Sequence, residues 1–216
     1  MSTKPALKEP AFRRAEPDAR RASLIEACAR VLAREGVAGA SVRAIALEAG
    51  VSPGLMGHYF AGIDALVAAT YAHVEARVSE ALDAAVAGAG PSPRARLDAF
   101  VTASFAPPVA SGELLATWIA FWSLVRSRAD IARQHDEQYA AFRARLEALL
   151  GECGMARARL RHAAIAITAL VDGLWLELCL SPEAFSAIEA GEIARSALDA
   201  LLGQPPYLDS SVNSTR

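Results

Sequence analysis

Apolar residues recur at helical spacing along most of this chain. The first such segment predicts a helix over residues 18–35 that stops at Gly36. One face of this helix carries the apolar side chains of Leu24, Ile25, Cys28, Val31 and Leu32. The same periodicity predicts later helices at about residues 64–87, 94–105, 112–127, 130–150, 156–180 and 187–202. Because proline and glycine clusters separate these segments and no β-type alternation intervenes, the pattern predicts an all-α protein.

Residues 41–60 predict two short helices broken at one glycine. Ser41 precedes the first of them and has an oxygen suited to capping a first turn, and Gly50 closes that helix. Ser52 and Pro53 open the second helix, with the proline at the first position, where its missing N–H costs nothing. Two short helices joined by a tight turn form a helix-turn-helix, whose second helix enters the major groove of DNA.

The same stretch matches the G-x-S-x-G pattern of a hydrolase nucleophile elbow, at Gly50-Val51-Ser52-Pro53-Gly54. Its context excludes that activity. The elbow needs a buried strand before the serine, whereas the preceding residues are alanine-rich and helically periodic. It also needs a backbone N–H after the nucleophile, and Pro53 has none. Because no other acid, base or nucleophile has supporting context, the sequence predicts a protein that is not an enzyme.

The helix-turn-helix resembles that of a known family. Residues 20–70 are similar to the DNA-binding domain of the TetR family of bacterial transcriptional regulators. That family typically has a glycine-valine-serine turn, a recognition helix ending in an aromatic pair, and then a long helix. Here the turn is Gly50-Val51-Ser52, the pair is Tyr59-Phe60, and the long helix contains Leu66.

Three segments resemble one branch of that family, the betaine-pathway repressors: Val51–Phe60, Trp118–Trp122 and Ala169–Leu176. Together the resemblance spans about residues 18–203. It implies a flexible N-terminal arm at 1–17, a three-helix DNA-binding domain at 18–63, a helical bundle for effector binding and dimerisation at 64–203, and a C-terminal tail at 204–216.

Three positions depart from the family's usual pattern. The lysine usual at the start of the fourth helix, a phosphate contact, falls on Ile63. The aromatic residue or serine usual in the middle of the recognition helix falls on Gly57, which lowers helix propensity. Leu47-Glu48 stand where relatives often have basic residues. We therefore expect one backbone contact to be missing, and the resemblance does not determine the operator sequence or the affinity.

The charge of the chain is divided unevenly. The net charge is −2, which alone does not indicate a DNA-binding protein. Residues 1–60, however, hold nine Lys or Arg against six Asp or Glu, and the remainder holds thirteen against eighteen. The basic excess therefore coincides with the helix-turn-helix, where phosphate charge must be neutralised, although a solvated imbalance of this size is also common.

Position on the recognition helix predicts which side chains reach DNA. Met56 and Phe60 are four residues apart and should turn inward. His58 is expected to donate to a guanine or phosphate, and Leu55 to pack on a thymine methyl. Tyr59 is expected either to contact a phosphate or to join the core. The complete predicted set, with phosphate contacts from the first two helices, is Arg20, Arg21, Ser41, Arg43, Ser52, Pro53, Gly54, Leu55, His58 and Tyr59.

Aromatic residues cluster in the C-terminal half, which holds all three tryptophans. Such rings usually fill a helical core, but rings that converge from different helices also form an apolar pocket or a cage for a quaternary ammonium ligand. Asp172 lies in an apolar segment, so its charge needs a partner: a cationic ligand, an arginine or a helix N-terminus. Glu177 is an alternative acid. The predicted effector site is Trp118, Trp122, Tyr139, Asp172 and Trp175.

The last two predicted helices are apolar on more than one face, which suggests a subunit interface. The family resemblance implies that these helices form a two-fold dimer, and such a dimer predicts a palindromic operator. The residues expected at this interface are Leu160, Ile167, Val171, Leu174, Leu178, Ile193, Leu198 and Leu201.

Other features of the sequence limit the location and the partners. The cysteines Cys28, Cys153 and Cys179 are widely spaced, and neither they nor the histidines form a metal motif, so no metal or cofactor is expected. Since the N-terminus lacks an apolar signal core and no run approaches ~18 apolar residues, we expect a cytoplasmic protein without a membrane partner. The sequence thus predicts a repressor that binds double-stranded DNA and releases it when a small-molecule effector binds. Choline or betaine-type effectors follow from the resemblance; the alternative is a neutral apolar effector of an efflux or catabolic operon.

Overall fold

A computed structural model describes residues 17–203, and these residues form nine α-helices and one short 3₁₀ helix without any strand. The predicted all-α fold class is confirmed. The helices are α1 Pro17–Gly39, α2 Val42–Glu48, α3 Pro53–Tyr59, α4 Ile63–Gly88, α5 Pro93–Thr102, the 3₁₀ turn Ala103–Phe105, α6 Gly112–Val125, α7 Ala129–Glu152, α8 Arg157–Leu180 and α9 Ala187–Gly203. Residues 1–16 of the predicted arm and the predicted tail at 204–216 lie outside the described residues.

The regular part of α1 ends where the sequence predicts. Gly36 has a φ of 65° and a ψ of −169°, which interrupt the helix before its last short turn. Only glycine adopts such a φ without steric cost, so the stop is encoded by this one residue. The apolar face of α1 is buried as predicted, and it packs with Ile45, Met56 and Phe60 in the core around the helix-turn-helix.

α4 and α6 connect this N-terminal part to the larger bundle. α4 begins beside the recognition helix and continues for 26 residues, burying Leu66, Tyr71 and Val78 among others. α6 packs against α1 and carries Trp118 and Phe121 into the core. The apolar core is therefore continuous from the helix-turn-helix to the C-terminal helices.

Among the described residues, α8 is the one helix with a long and apolar enough segment to cross a membrane. Its length and a mean hydropathy of 1.8 would suffice to cross a membrane, although Asp172 and Glu177 interrupt the apolar run. A core helix of a bundle passes the same test, and α8 buries one face, including Ile167 and Trp175, in the protein interior. Packing within the bundle thus accounts for one face of α8, whereas the other face leaves apolar residues exposed.

The predicted interface residues of α8 and α9 differ in burial within the protomer, and only the three fully buried ones require a correction. Ile167, Val171 and Leu198 are buried in the core of the protomer itself, and Leu160, Leu174, Leu178 and Leu201 are half-buried against it. Of the predicted set only Ile193 is exposed, at 45%. Two faces of α8 are apolar. The spacing of apolar residues therefore does not show which face packs in the protomer core and which one is exposed. The exposed apolar residues are Ile165, Leu176 and Leu180 of α8 with Ile188 and Ile193 of α9.

Candidate functional site

The two short helices begin at serine caps, as the sequence predicts. The Ala44 N–H donates to Ser41 Oγ at 3.1 Å, and the Leu55 N–H donates to Ser52 Oγ at 3.3 Å. Gly50 closes α2 with a φ of 65°. These caps satisfy N–H groups that a helix leaves unpaired, and they fix the turn that sets α3 against α2.

The recognition helix α3 has a buried face and a small-residue exposed face. Met56 and the following Phe60 are buried, as predicted. Pro53, Gly54, Gly57 and His58 are exposed, whereas Leu55 and Tyr59 are half-buried. A Cβ atom added at Gly54 or Gly57 would meet no atom within 4 Å, so the backbone itself is accessible there. This face can approach another surface closely.

The position of Tyr59 is compatible with both of its predicted roles, a phosphate contact and a place in the core. It packs against the core while remaining half-exposed, and its ring stands edge-on to His58 with centroids 5.5 Å apart. The phenol end of a half-buried tyrosine can still reach a phosphate from this position.

The arginines near α3 fall into two groups. Arg43 and Arg21 are exposed and Arg20 is half-exposed, with the Arg21 guanidinium 5.0 Å from the centroid of the Phe60 ring. Arg30 and Arg34 instead bind Glu48, at 2.6 Å and 3.1 Å. These two hydrogen bonds lower the pKa of the Glu48 carboxyl and tie α2 to α1.

The first residue of α4 is Ile63, where the family usually has a lysine. Ile63 is half-buried against the core, and the next residue, Asp64, is exposed. Arg128, in the connection between α6 and α7, donates to Asp64 Oδ1 at 2.5 Å and to its carbonyl oxygen at 3.1 Å. Arg128 also pairs with Asp130. The bundle therefore supplies the cation that neutralises the acid beside α3.

One exposed residue near this surface escapes prediction from sequence. Leu47 is 80% exposed and lies one helical turn after Arg43 on α2. An isolated exposed leucine is ordinary, and only its position beside an exposed arginine marks it as a candidate contact.

In the bundle, the predicted effector residues converge. Trp118, Tyr139, Asp172 and Trp175 line one cavity of about 40 Å³, between α4, α6, α7 and α8. Trp122 lies behind this lining and contacts Tyr139. Residues that the sequence did not identify complete the wall: Val78, Leu82, Ser104, Gln138, Phe142, Thr168 and Val171.

A chain of hydrogen bonds leads to the one acidic group in this lining. The Trp122 Nε1–H donates to the Tyr139 hydroxyl at 3.1 Å, and that hydroxyl donates to Asp172 Oδ1 at 3.0 Å. The partner of Asp172 is thus a neutral phenol, rather than the arginine or helix N-terminus considered from sequence. Glu177, the alternative acid, is exposed and does not line the cavity.

The aromatic rings around these hydrogen bonds pack edge to face or in stacks. Trp118 and Trp175 meet edge-on with centroids 6.0 Å apart, and the Trp175 indole N–H donates to the Ser104 carbonyl at 2.8 Å. Tyr71 of α4 stacks on Trp118 at 5.6 Å and donates to Gln138 Oε1 at 2.8 Å. Tyr71 has no aromatic neighbour in sequence, which is why the sequence gives no signal for it.

Burial dominates the electrostatics of Asp172. It raises the pKa of this carboxyl to about 6, while the hydrogen bond from Tyr139 and the positive charges of His135 and Arg143 act in the opposite direction. The His135 ring stacks on Tyr139 at 4.2 Å, and the Arg143 guanidinium is 6.0 Å from the same ring. At neutral pH Asp172 is therefore mainly an ionised, largely desolvated carboxylate beside aromatic rings.

The chain matches two family models that together cover most of its length. Residues 24–70 match "Bacterial regulatory proteins, tetR family", and residues 93–203 match "BetI-type transcriptional repressor, C-terminal". The chain belongs to the TetR family of transcriptional regulators. Its C-terminal part places it in the BetI-type branch, which confirms the resemblance read from the sequence.

Curated relatives agree with this assignment. The HTH-type transcriptional regulator BetI of Paraburkholderia phytofirmans is 35% identical over 183 residues, covering 85% of this chain and 93% of that protein. The protein of the same name from Burkholderia mallei is similar to the same extent. These relatives are transcriptional regulators and not enzymes.

Solved structures share the fold. The crystal structure of a transcriptional regulator from Pseudomonas aeruginosa is 43% identical, has a TM-score of 0.79, and covers 91% of this chain and 96% of its own. A regulator from Saccharomonospora viridis, crystallised in complex with choline, has a TM-score of 0.72 over 83% of this chain and 95% of its own. At 18% identity that second likeness shows the fold alone.

Proposed function

We propose that this TetR-family regulator is a cytoplasmic homodimeric repressor that releases a palindromic operator when a small cationic effector binds the aromatic cavity. The proposal of a cationic effector rests on the environment of Asp172. It is an ionised carboxylate in a largely buried, aromatic lining, and its only hydrogen bond within the described residues comes from Tyr139. A cation bound there would contact the carboxylate directly, which no cationic side chain among the described residues does by a hydrogen bond.

Aromatic rings supply the second part of the argument. Trp118, Trp175 and Tyr139 line the same cavity as the carboxylate, and ring faces attract quaternary ammonium groups by ~0.5–2 kcal/mol per well-placed ring. Choline and betaine aldehyde have such a group on a small body. The choline complex of the Saccharomonospora viridis protein shows that this fold can hold such a ligand.

The DNA-binding part of the proposal rests on the exposed face of α3 and the arginines beside it. We assign base contacts to His58 and Leu55, and phosphate contacts to Arg43, Arg20 and Arg21. The other contacts are Ser41, Ser52, Pro53, Gly54 and Tyr59, as expected from sequence, to which we add Leu47. The glycine-rich face of α3 allows its backbone to lie close to the groove.

The dimer is proposed on the exposed apolar stripe of α8 and α9. Leu180 is 66% exposed and Ile188 is 76% exposed, so both leave apolar surface that a second copy would cover. A two-fold axis through this stripe would present two recognition helices to one face of DNA.

α6 offers a physical connection between the cavity and DNA. Its Trp118 lines the cavity, and the next residue toward the N-terminus, Thr117, has its hydroxyl 3.3 Å from the Ala29 carbonyl of α1. Just beyond its other end, Arg128 holds Asp64 at the start of α4. An effector that displaces α6 would therefore move α1 and α4, and with them the separation of the two recognition helices.

The experiment compares choline with its neutral isostere 3,3-dimethylbutan-1-ol. Tryptophan fluorescence and release of the native promoter fragment are measured for wild type and for Asp172→Asn. A cationic site predicts that choline changes both signals in wild type, and that the alcohol and the variant respond at least about tenfold more weakly. Equal responses to the two ligands would favour the neutral apolar effector, and no difference between the promoter and random DNA would refute the repressor.

A further inference from the structure

A larger depression shares a wall with the aromatic cavity. It lies between α4, α5 and α7 and has a volume of about 500 Å³, whereas the cavity itself has about 40 Å³. Since one water molecule needs about 10–15 Å³ by the same kind of measure, the cavity alone holds only a few waters. The residues that line both spaces are Val78, Leu82, Gln138 and Phe142. A ligand larger than a few waters must therefore displace this shared wall.

Small side chains on α7 create the groove. Ala141, Ala144 and Ala148 line it on one side, and Leu82 and Phe100 line it on the other. The alanines keep α7 from filling the space beside α4, so this part of the groove is apolar. Glu75, Ser79, Asp83 and Arg145 also line the groove, and Arg145 pairs with Asp83 at 3.0 Å. From Gln138, at the cavity wall, to Ala148, the groove extends along α7 for about 15 Å at 1.5 Å per residue.

Phe142 separates the two spaces. Its ring packs against Phe100 with centroids 5.0 Å apart, and its side chain is only half-buried. Because one side of the ring is open toward the groove, a change of side-chain rotamer would join the groove to the cavity without unpacking the core.

We propose that the effector is an amphiphilic cation, with its ammonium head against Asp172 and an unbranched apolar chain lying past Phe142 in the groove. This inference rests on the proposed cationic effector site and extends it, because it specifies what is attached to the cation. The charge of Asp172 selects the head, and the groove between the α7 alanines and the apolar side chains of Leu82 and Phe100 selects a narrow chain over a branched one.

The test is a series of ligands that share one head. Tetramethylammonium and butyl-, hexyl- and octyltrimethylammonium are titrated by calorimetry against the full-length dimer, with 1-octanol as the headless control. Each methylene that enters the groove should tighten Kd by about two- to fourfold. From tetramethylammonium to the octyl compound the gain should be at least about 100-fold, and 1-octanol should bind far more weakly than the octyl compound.

Two variants test whether the alkyl chain of the ligand lies in the groove. Ala141→Trp fills the centre of the groove from an exposed helix position, and Ala140→Trp places the same side chain on the adjacent exposed position that does not line the groove. Ala141→Trp should reduce the gain in affinity from tetramethylammonium to the octyl compound by at least about tenfold. Its affinity for tetramethylammonium itself should stay within about twofold of the wild-type value. Ala140→Trp should retain the whole gain.

The outcomes separate this inference from the function on which it rests. If every ammonium ligand binds equally well whatever its chain length, the chain site is overturned while the cationic effector site stands. If the gain persists in Ala141→Trp, the chain does not lie in the groove. If no ammonium ligand binds the wild type, both proposals fall.

Discussion

Replacing Asp172 with asparagine should stabilise the protein while it abolishes the response to cations. Asparagine has nearly the same shape and keeps an oxygen that accepts the Tyr139 hydroxyl, but it carries no charge to desolvate. Burial raises the pKa of Asp172 from 3.8 to about 6, so the ionised form is less favourable in the folded protein than in the unfolded chain. The wild type therefore bears a cost at neutral pH that the variant lacks.

The size and sign of this effect follow from proton linkage. The native state binds a proton that the unfolded chain releases between pH 3.8 and about 6, so the contribution of Asp172 to stability is greatest below that range and is lost as pH rises through it. At about 1.4 kcal/mol per pH unit, the loss reaches at most about 3 kcal/mol. For a chain of this size, Tm shifts by about 2–4 °C per kcal/mol, so Asp172→Asn should melt about 5–10 °C higher at pH 7.

Differential scanning calorimetry at equal protein concentration measures this difference, from pH 4 to pH 8. The advantage of Asp172→Asn should shrink toward zero as pH falls to 4. Glu177→Gln is the matched control, because Glu177 is an exposed acid on the same helix and its loss should change stability by less than about 0.5 kcal/mol. A variant no more stable than wild type at pH 7, or an advantage independent of pH, would refute the reasoning that desolvation dominates at Asp172.

Other predictions concern DNA, assembly and coupling. Arg43→Ala should weaken binding to all DNA sequences alike and reduce the slope of log binding constant against log salt concentration by ~0.9. His58→Ala should instead change the preference at one base position. Both are measured by fluorescence anisotropy over a salt series. Leu180→Glu should leave the helical spectrum unchanged but yield monomers in sedimentation, because Leu180 is exposed in the protomer. Arg128→Ala, which releases Asp64, should reduce by several-fold the change in operator affinity that choline causes, measured by anisotropy with and without choline; an unchanged response to choline would contradict a role of Arg128 in coupling.

The helix-turn-helix could be predicted from sequence because its determinants are local. Ser41 and Ser52 cap the helices that follow them, and Gly36 ends α1 through its own backbone geometry. Each of these features depends on the chemistry of one residue and its near neighbours, so no knowledge of distant contacts is needed.

The orientation of α8 could not be predicted in the same way. Ile165 and Ile167 are equally apolar, yet the first is 40% exposed and the second 1% exposed. Which of them faces the core depends on where α6 and α7 pack, and the periodicity of one helix carries no such information. The convergence of the tryptophans on Asp172 was predicted, but the phenol of Tyr139 as its hydrogen-bond partner depends on the register between α7 and α8.

The small volume of the aromatic cavity has a consequence for how an effector could act. A ligand that fitted a preformed cavity would bind without moving the helices, and a ligand with equal affinity for both states shifts no equilibrium. At about 40 Å³ the cavity holds only a few waters, so an effector with a larger body must enlarge it, and its walls belong to α4, α6, α7 and α8. An enlargement that moves α6 would reach the N-terminal part directly, because the Thr117 hydroxyl of α6 donates to the Ala29 carbonyl of α1. Arg128, just beyond α6, also holds Asp64 at the start of α4. Under the proposed function, the cost of opening would lower the effector's apparent affinity, and the same opening would couple occupancy of the cavity to the position of the recognition helix.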